Sequence, residues 1–157
     1  MVETRWLSAS EQRQWRALIR GSAYLFDQLE RELRTEHGIT LDEYEVLVQL
    51  SEGPAEGLRM SVLADHALMP KSRLTYTVDR MERAGLIERL PCREDRRGLR
   101  AVLTAAGWTL IKTAAPTHVE GVRRWLLDVL DPREFEAIGS GFERVRAALE
   151  DQPRTSD

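Results

Sequence analysis

Two helical segments and a charged hairpin follow one another between Leu58 and Gly107. The second helix is predicted over Pro70–Ala84. Pro70 suits a first helical position because its missing N–H would be unpaired there, and Gly85 suits a C-terminal stop. The order of these elements is the strongest constraint on the fold of the chain.

The second helix has two chemically different faces. Leu74, Val78 and Met81 recur at helical spacing and predict a buried stripe. The opposite face carries Ser72, Arg73, Tyr76, Arg80 and Arg83, whose side chains bind phosphates or base edges. The candidate DNA-contacting residues of this helix are Lys71, Ser72, Arg73, Thr75, Tyr76 and Arg80. The alternative is a solvated face whose arginines serve solubility alone.

The hairpin has strand character at Leu86–Leu90 and at Leu99–Thr104, joined by the polar sequence PCREDRRG. Arginines on a narrow loop suit the minor groove, where negative potential is concentrated over narrow A·T tracts. The candidate DNA-contacting residues here are Arg93, Asp95, Arg96, Arg97 and Arg100. Helix, turn, helix and hairpin in this order predict a winged helix-turn-helix, whose second helix enters the major groove.

These motifs resemble the MarR family of bacterial transcription regulators. The resemblance rests on the D-x-R-G signature at Asp95–Gly98, on Val102-Leu103-Thr104 with Gly107, and on V-D-R-x-E-R-x-G-L-I-E-R over Val78–Arg89. It implies that Arg97 enters the minor groove and that Asp95 braces the wing through an ion pair with a neighbouring arginine. Pro70 departs from many relatives, which carry a capping serine that can touch a phosphate.

The charge is distributed unevenly along the chain. The net charge of the 157 residues is −3, yet residues 71–100 hold nine Lys/Arg against five Asp/Glu. A basic patch on an acidic body suits double-stranded DNA as a partner. The chain has no signal peptide and no apolar run near the roughly 20 residues that span a bilayer, so we expect a cytoplasmic protein with no membrane partner.

The flanks of the winged region are predicted to be helical, with S/T-x-x-E capping boxes at Ser8 and Thr40. The expected fold is mainly α: a winged helix-turn-helix with a two-stranded β wing, flanked by N- and C-terminal dimerisation helices. The expected divisions are residues 1–39 for an N-terminal dimerisation helix, 40–104 for the DNA-binding domain, 105–150 for C-terminal dimerisation helices and 151–157 for a disordered tail.

The flanking helices carry more apolar surface than the winged region needs. A second copy of the chain is the expected partner, and a homodimer would present two recognition helices to a pseudo-palindromic operator. The alternative is a larger monomeric core.

The resemblance also implies that the protein is a repressor and that a small aromatic or lipophilic effector releases it from DNA. Trp15, Tyr24, His37 and Tyr44 are the candidate ligand-binding residues, because they combine aromatic bodies with polar edges near the expected junction. Ordinary core or interface packing is the competing interpretation of each.

The same residues are compatible with other functions. Cys92 could be a redox switch if the loop exposes it beside Arg93, although relatives that sense oxidants carry their cysteine on the first helix. A winged helix that binds protein instead of DNA is a further alternative. The sequence contains no enzyme motif, and its three histidines are too far apart to seed a metal site, so neither catalysis nor a cofactor is predicted.

Overall fold

The computed structural model of the chain describes residues 3–92 and 98–151. These form six α-helices, a small sheet and one π-helical turn. The helices are α1 (Ala9–His37), α2 (Leu41–Glu52), α3 (Met60–His66), α4 (Lys71–Arg83), α5 (Ala105–Val122) and α6 (Pro132–Glu150); the strands are β1 (Leu58–Arg59), β2 (Ile87–Pro91) and β3 (Leu99–Leu103); the π turn is Arg123–Leu127.

Local capping chemistry explains where three of the helices begin. Ser8 caps α1, Thr40 caps α2 and Asp131 caps α6, and each forms a capping box with the glutamate three residues later. Such a box satisfies two backbone N–H groups that have no partner within the helix. Thr104 acts similarly at α5, where its hydroxyl accepts a hydrogen bond from the N–H of Gly107 at 3.1 Å.

The sheet is antiparallel in the order β1-β3-β2. Its two long strands are those predicted for the hairpin, and Ile87 pairs with Leu103. The prediction of a two-stranded wing missed β1, in which Leu58 pairs with Ala101. A two-residue strand has no detectable alternation, so only its pairing partner defines it. Gly57 precedes β1 with φ +85°, and a Cβ there would come within 2.2 Å of the Ala101 carbonyl oxygen.

The chain divides into two compact units, residues 1–119 and 120–157. The core of the first unit lies between α2, α3, α4, the sheet, the C-terminal half of α1 and part of α5. Its fully buried side chains include Leu33, Val46, Leu47, Leu63, Leu74, Val78, Met81 and Ile87. In the second unit, α6 contains no buried residue. Of the predicted disordered tail, residues 151–157, Asp151 is the C-cap of α6, and the residues from 152 onward lie outside the described part of the chain.

Candidate nucleic-acid interface

Helix α4 has one buried face and one exposed face, as the helical spacing of its apolar residues predicts. Leu74, Val78 and Met81 are at most 1% exposed. The other face exposes hydroxyl and cationic side chains, with the Tyr76 ring 64% accessible to solvent. The exposed residues are Lys71, Ser72, Arg73, Thr75, Tyr76 and Arg83. A depression of about 190 Å³ beside Lys71 and Thr75 separates this face from α3.

The start of α4 differs by one residue from the prediction. Pro70 is the N-cap, in an extended conformation with φ −55° and ψ 141°, and Lys71 is the first helical residue. Proline has no side-chain acceptor, so this helix begins without a side-chain cap. Gly85 follows the helix with φ +72°, in agreement with the predicted stop.

The turn between α3 and α4 contains Leu68, the one residue other than glycine with positive φ in the described chain (φ +52°). The turn is closed by hydrogen bonds from Ala67 N to Leu63 O at 2.9 Å and from Met69 N to Ala64 O at 3.0 Å. The left-handed conformation is unfavourable for leucine, and the flanking hydrogen bonds stabilise the turn against this strain.

Arg73 forms an ion pair with Asp42, in the first turn of α2. Its Nε and Nη2 donate to the two carboxylate oxygens at 2.6 and 2.8 Å, which is the side-on geometry that suits a guanidinium. The Arg73 side chain remains 61% exposed, so the pair lies at the protein surface. The sequence predicts Arg73 as an exposed DNA contact, and no periodicity in the chain indicates its carboxylate partner.

Arg80 is also paired with α2, through Glu43. Its Nε donates to Glu43 Oε1 at 2.8 Å, and its Nη2 contacts Oε2 of the same carboxylate. Glu43 is only 5% exposed. Its Oε2 also accepts hydrogen bonds from the backbone N–H of Thr40 at 2.8 Å and from the Thr40 hydroxyl at 3.2 Å. One carboxylate therefore caps α2 and holds a side chain of α4.

The pKa shifts of Glu43 and Arg80 both favour the charged forms of the pair. Burial alone would raise the pKa of Glu43, but the hydrogen bonds from Arg80 and Thr40 outweigh it and lower that pKa below its usual value. The hydrogen bond to Glu43 raises the pKa of Arg80, partial burial opposes this, and the nearby Tyr76 adds to the rise. Both groups are therefore ionised near neutral pH.

A third arginine connects the sheet to α4. Arg89 on β2 reaches Asp79 at 2.7 Å and Glu82 through its Nε at 3.0 Å, and its backbone N–H donates to Glu82 at 3.1 Å. The hydrogen bond from the Arg89 side chain is the largest influence on Glu82 and lowers its pKa. This pairing sets β2 against the C-terminal half of α4.

Four of the five predicted wing contacts, Arg93, Asp95, Arg96 and Arg97, lie outside the described residues. Arg100 is described and sits on β3 opposite Leu90. Its Nη1 donates to the carbonyl oxygen of Glu56 at 3.3 Å, and its Nε is buried without a hydrogen-bond partner among the described residues. Arg100 therefore lies partly against the backbone before β1.

Cys92 is 3% exposed, contrary to the exposure on which the redox interpretation depends. Its backbone N–H donates to the carbonyl oxygen of Gly98 at 2.9 Å, which extends the pairing of the two long strands beyond Pro91. The sequence indicated a polar loop here, whereas the strand pairing continues to Cys92 and its side chain is buried.

Two of the four ligand candidates, His37 and Tyr44, lie at the junction of α1, α2 and α5. The Thr117 hydroxyl donates to Glu36 Oε2 at 2.9 Å and lies 2.8 Å from His37 Nε2. Since that hydroxyl has a single proton, His37 is the donor in the second bond. Tyr44 is buried and packs against His118. The sequence predicts neither Thr117 nor His118 as a partner, because both contacts join distant parts of the chain.

His118 is a partly buried histidine with an unusual environment. Its Nδ1 is buried and finds no hydrogen-bond partner in the described part of the chain. Burial lowers the pKa of His118, and the charge of Glu45 opposes this only in part. The neutral imidazole is therefore favoured at this junction.

The other two ligand candidates lie elsewhere on α1. Trp15 and Tyr24 are exposed, at 53% and 70%. Trp15 precedes His37 by 22 residues of one helix, which places them about 33 Å apart along its axis. Tyr24 lines an open depression of about 370 Å³ with Arg20, Ala23 and Asp27. Within one chain, the four candidates do not line a single cavity.

No group of three or more His, Cys, Asp or Glu side chains in residues 3–92 and 98–151 could hold a metal ion. Over the same residues, no helix combines the length and hydropathy needed to cross a membrane.

A short helix, a turn, a helix with an exposed polar face and a small antiparallel sheet define a winged helix-turn-helix protein. The comparisons with known proteins agree. The profile of the MarR family matches residues 37–98. AbsC, a MarR family transcriptional regulator of Streptomyces coelicolor, is 40% identical in sequence, with a TM-score of 0.88 over 95% of this chain and 100% of its own.

Sco3205, a MarR family transcriptional regulator from the same organism that was crystallised in complex with DNA, is 38% identical. Its TM-score is 0.92, over 100% of this chain and 97% of its own. The HTH-type transcriptional regulator PecS of Dickeya dadantii is 29% identical over 109 residues, which are 69% of this chain and 63% of PecS. The match thus spans less than two thirds of that relative.

The chain belongs to the MarR family of DNA-binding transcription regulators. This confirms the resemblance drawn from the wing and α4 motifs, and it confirms the fold class with one added strand. Because the family and the relatives are regulators, the prediction that the chain is not an enzyme is also confirmed.

Proposed function

We propose that this chain is a homodimeric transcription regulator that reads double-stranded DNA with α4 and contacts the backbone or minor groove with its wing. The exposed polar face of α4, opposite a stripe of fully buried side chains, carries the proposal. Such a face in a helix-turn-helix suits insertion into the major groove. The DNA complex of Sco3205, which is 38% identical, supports it.

Selection of duplexes from a random library by the full-length chain tests this function. Tyr76→Ala is expected to weaken binding to the selected duplex more than to a scrambled one, because a base contact is lost. Lys71→Ala is expected to weaken both and to reduce the slope of log K against log salt by about 0.9, as for one lost phosphate contact. Lys112→Ala, on the exposed face of α5, is the matched control. Equal affinity of the parent for both duplexes would refute the proposal.

The homodimer is supported by exposed apolar stripes on two helices. On α1 the stripe contains Trp15, Leu18, Ile19 and Phe26; on α6 it contains Phe135, Ile138, Phe142, Val145 and Leu149. Contiguous apolar surface of this kind is typical of an interface. A two-fold dimer would read a pseudo-palindromic operator whose half-sites are about one helical turn apart.

Sedimentation of two charge-adding variants tests the interface. Phe142→Glu places a carboxylate within the apolar stripe of α6, and Ser140→Glu adds the same charge on the opposite face. We expect only Phe142→Glu to give monomers or aggregates, because a charge buried in an interface is costly. A stable dimer of Phe142→Glu would exclude α6 from the interface.

The wing is proposed to contribute through Arg93, Arg96 and Arg97, with Asp95 as a brace. Arg97→Ala is expected to weaken DNA binding by about 1–3 kcal/mol, the range for one lost groove contact. Titration of both duplexes at fixed salt measures the effect. Unchanged affinity for both would remove Arg97 from the interface.

We further propose that the chain acts as a repressor and that a small aromatic or lipophilic effector releases it from DNA. The junction of α1, α2 and α5 supports it, because aromatic rings and polar side chains meet there around His37 and Tyr44. Benzoate and naphthoate are suitable probes. A true effector must bind less tightly when the selected duplex is present, by the factor with which it weakens DNA binding. Equal affinity with and without DNA would exclude the compound.

A further inference from the structure

The two arginines that α4 shares with α2 differ in how deeply their partners are buried. The Glu43 side chain is 6% exposed and that of Asp42 is 28% exposed, although the two acids are neighbours in the same helical turn. Glu43 uses both oxygens for Arg80 and one of them for Thr40 as well. Asp42 pairs with Arg73 at the surface.

This difference determines which arginine can leave its partner for a phosphate. An exposed ion pair is worth little, so a phosphate can replace Asp42 as the partner of Arg73. Moving Arg80 away would leave the Glu43 charge buried and uncompensated, which is strongly unfavourable. Arg80 therefore stays on Glu43 when DNA binds, while Arg73 is free to exchange.

The pairing of Arg80 with Glu43 affects the part of α4 that is proposed to contact DNA. Arg80 lies one helical turn after Tyr76 on α4. Tyr76 is the large aromatic ring on the exposed face of α4. A side-on guanidinium–carboxylate contact has a fixed geometry, so it limits the rotation of α4 relative to α2 and with it the direction in which Tyr76 leaves the helix.

We propose that Glu43 is a positioning residue for DNA recognition, which acts by holding Arg80 and thereby the orientation of α4 and of the Tyr76 ring. Arg80 is part of this support and does not itself read bases. The inference rests on the proposed DNA-binding function and adds a buried carboxylate of α2 to the residues that determine specificity.

The test compares Glu43→Gln with Asp42→Asn in the full-length chain. Both substitutions remove one negative charge from the same turn of α2. Affinities are measured for the duplex selected by the parent and for a scrambled duplex of the same length, over a series of salt concentrations. Asp42→Asn is expected to strengthen binding to both duplexes equally, because Arg73 is released and a repulsive charge is lost.

Glu43→Gln is expected to lower the ratio of selected to scrambled affinity by about tenfold, near the lower limit for one lost base contact. Ile111→Val, a core truncation on α5, controls for lost stability and is expected to keep the parental ratio. An unchanged ratio in Glu43→Gln, or an equal fall in Ile111→Val, would overturn the inference.

Arg80→Gln provides a second test that does not depend on the folding of the Glu43 variant. We expect Arg80→Gln to lower the ratio of selected to scrambled affinity and to leave the slope of log K against log salt unchanged. A slope smaller by about 0.9 would show that Arg80 binds a phosphate directly, and would refute the positioning role. If the parent itself fails to discriminate between the duplexes, the proposed DNA-binding function fails, and the inference falls with it.

Discussion

The imidazole of His118 lies against the ring of Tyr44, with the ring centroids 4.4 Å apart and the planes inclined by 32°. This contact joins α5 to α2 at the site where an effector is proposed to bind. It holds a histidine whose pKa is lowered by burial, so the contact makes stability depend on pH.

We expect the folded state to lose stability as the pH falls below the ordinary histidine pKa of 6.5. In that range the unfolded chain takes up a proton at His118 before the folded chain does, and the loss ends once the folded His118 is protonated as well. His118→Phe keeps an aromatic ring beside Tyr44 and should lack this part of the loss. Urea unfolding at pH values of about 7.5 and about 5.5 measures the difference. Equal losses in parent and variant would contradict the prediction.

Leu68→Gly is expected to stabilise the protein. Leu68 is 90% exposed and has φ +52°, so glycine would relieve left-handed strain while removing little packing. The strain of about 1–2 kcal/mol exceeds the entropic cost of glycine, and a net gain of about 0.5–1 kcal/mol follows. Ala84→Gly, at an exposed position with φ −80°, is the control and should destabilise. Chemical denaturation measures both, and a destabilised Leu68→Gly would show that the leucine side chain contributes to the turn.

Arg89→Ala is expected to cost about 1–2 kcal/mol of unfolding free energy, because a partly buried guanidinium that serves two carboxylates is lost. Arg31→Ala removes the exposed pair with Asp27 and should cost less than about 0.5 kcal/mol. Thermal and urea unfolding compare the two. Similar small losses would mean that Arg89 does not anchor the sheet to α4.

Cys92 is expected to react slowly with a thiol reagent in the native protein and at least about tenfold faster in urea, because modification requires the strand end to open. Mild peroxide should leave DNA binding unchanged in both the parent and Cys92→Ser. Rapid labelling of the native thiol, or reversible release of DNA by peroxide in the parent alone, would restore the redox interpretation.

Local signals in the sequence were enough to predict the helices and the faces of α4. The capping boxes at Ser8 and Thr40 and the stripe of Leu74, Val78 and Met81 depend on residues within one or two helical turns. The hairpin strands and the family were also predictable, because the wing and α4 motifs are continuous segments. The wing contacts at 93–97 stay predictions.

Contacts between distant segments were decided by the tertiary structure alone. The pairing of Leu58 with Ala101, the ion pair of Arg80 with Glu43 and the stacking of His118 on Tyr44 each join residues far apart in sequence. Neither periodicity nor capping encodes the partner in such a contact, because the partner depends on how whole elements pack. The sequence by itself therefore determined most of the elements and the chemistry of the two faces of α4, whereas packing determined that Arg73 and Arg80 are held by carboxylates of α2.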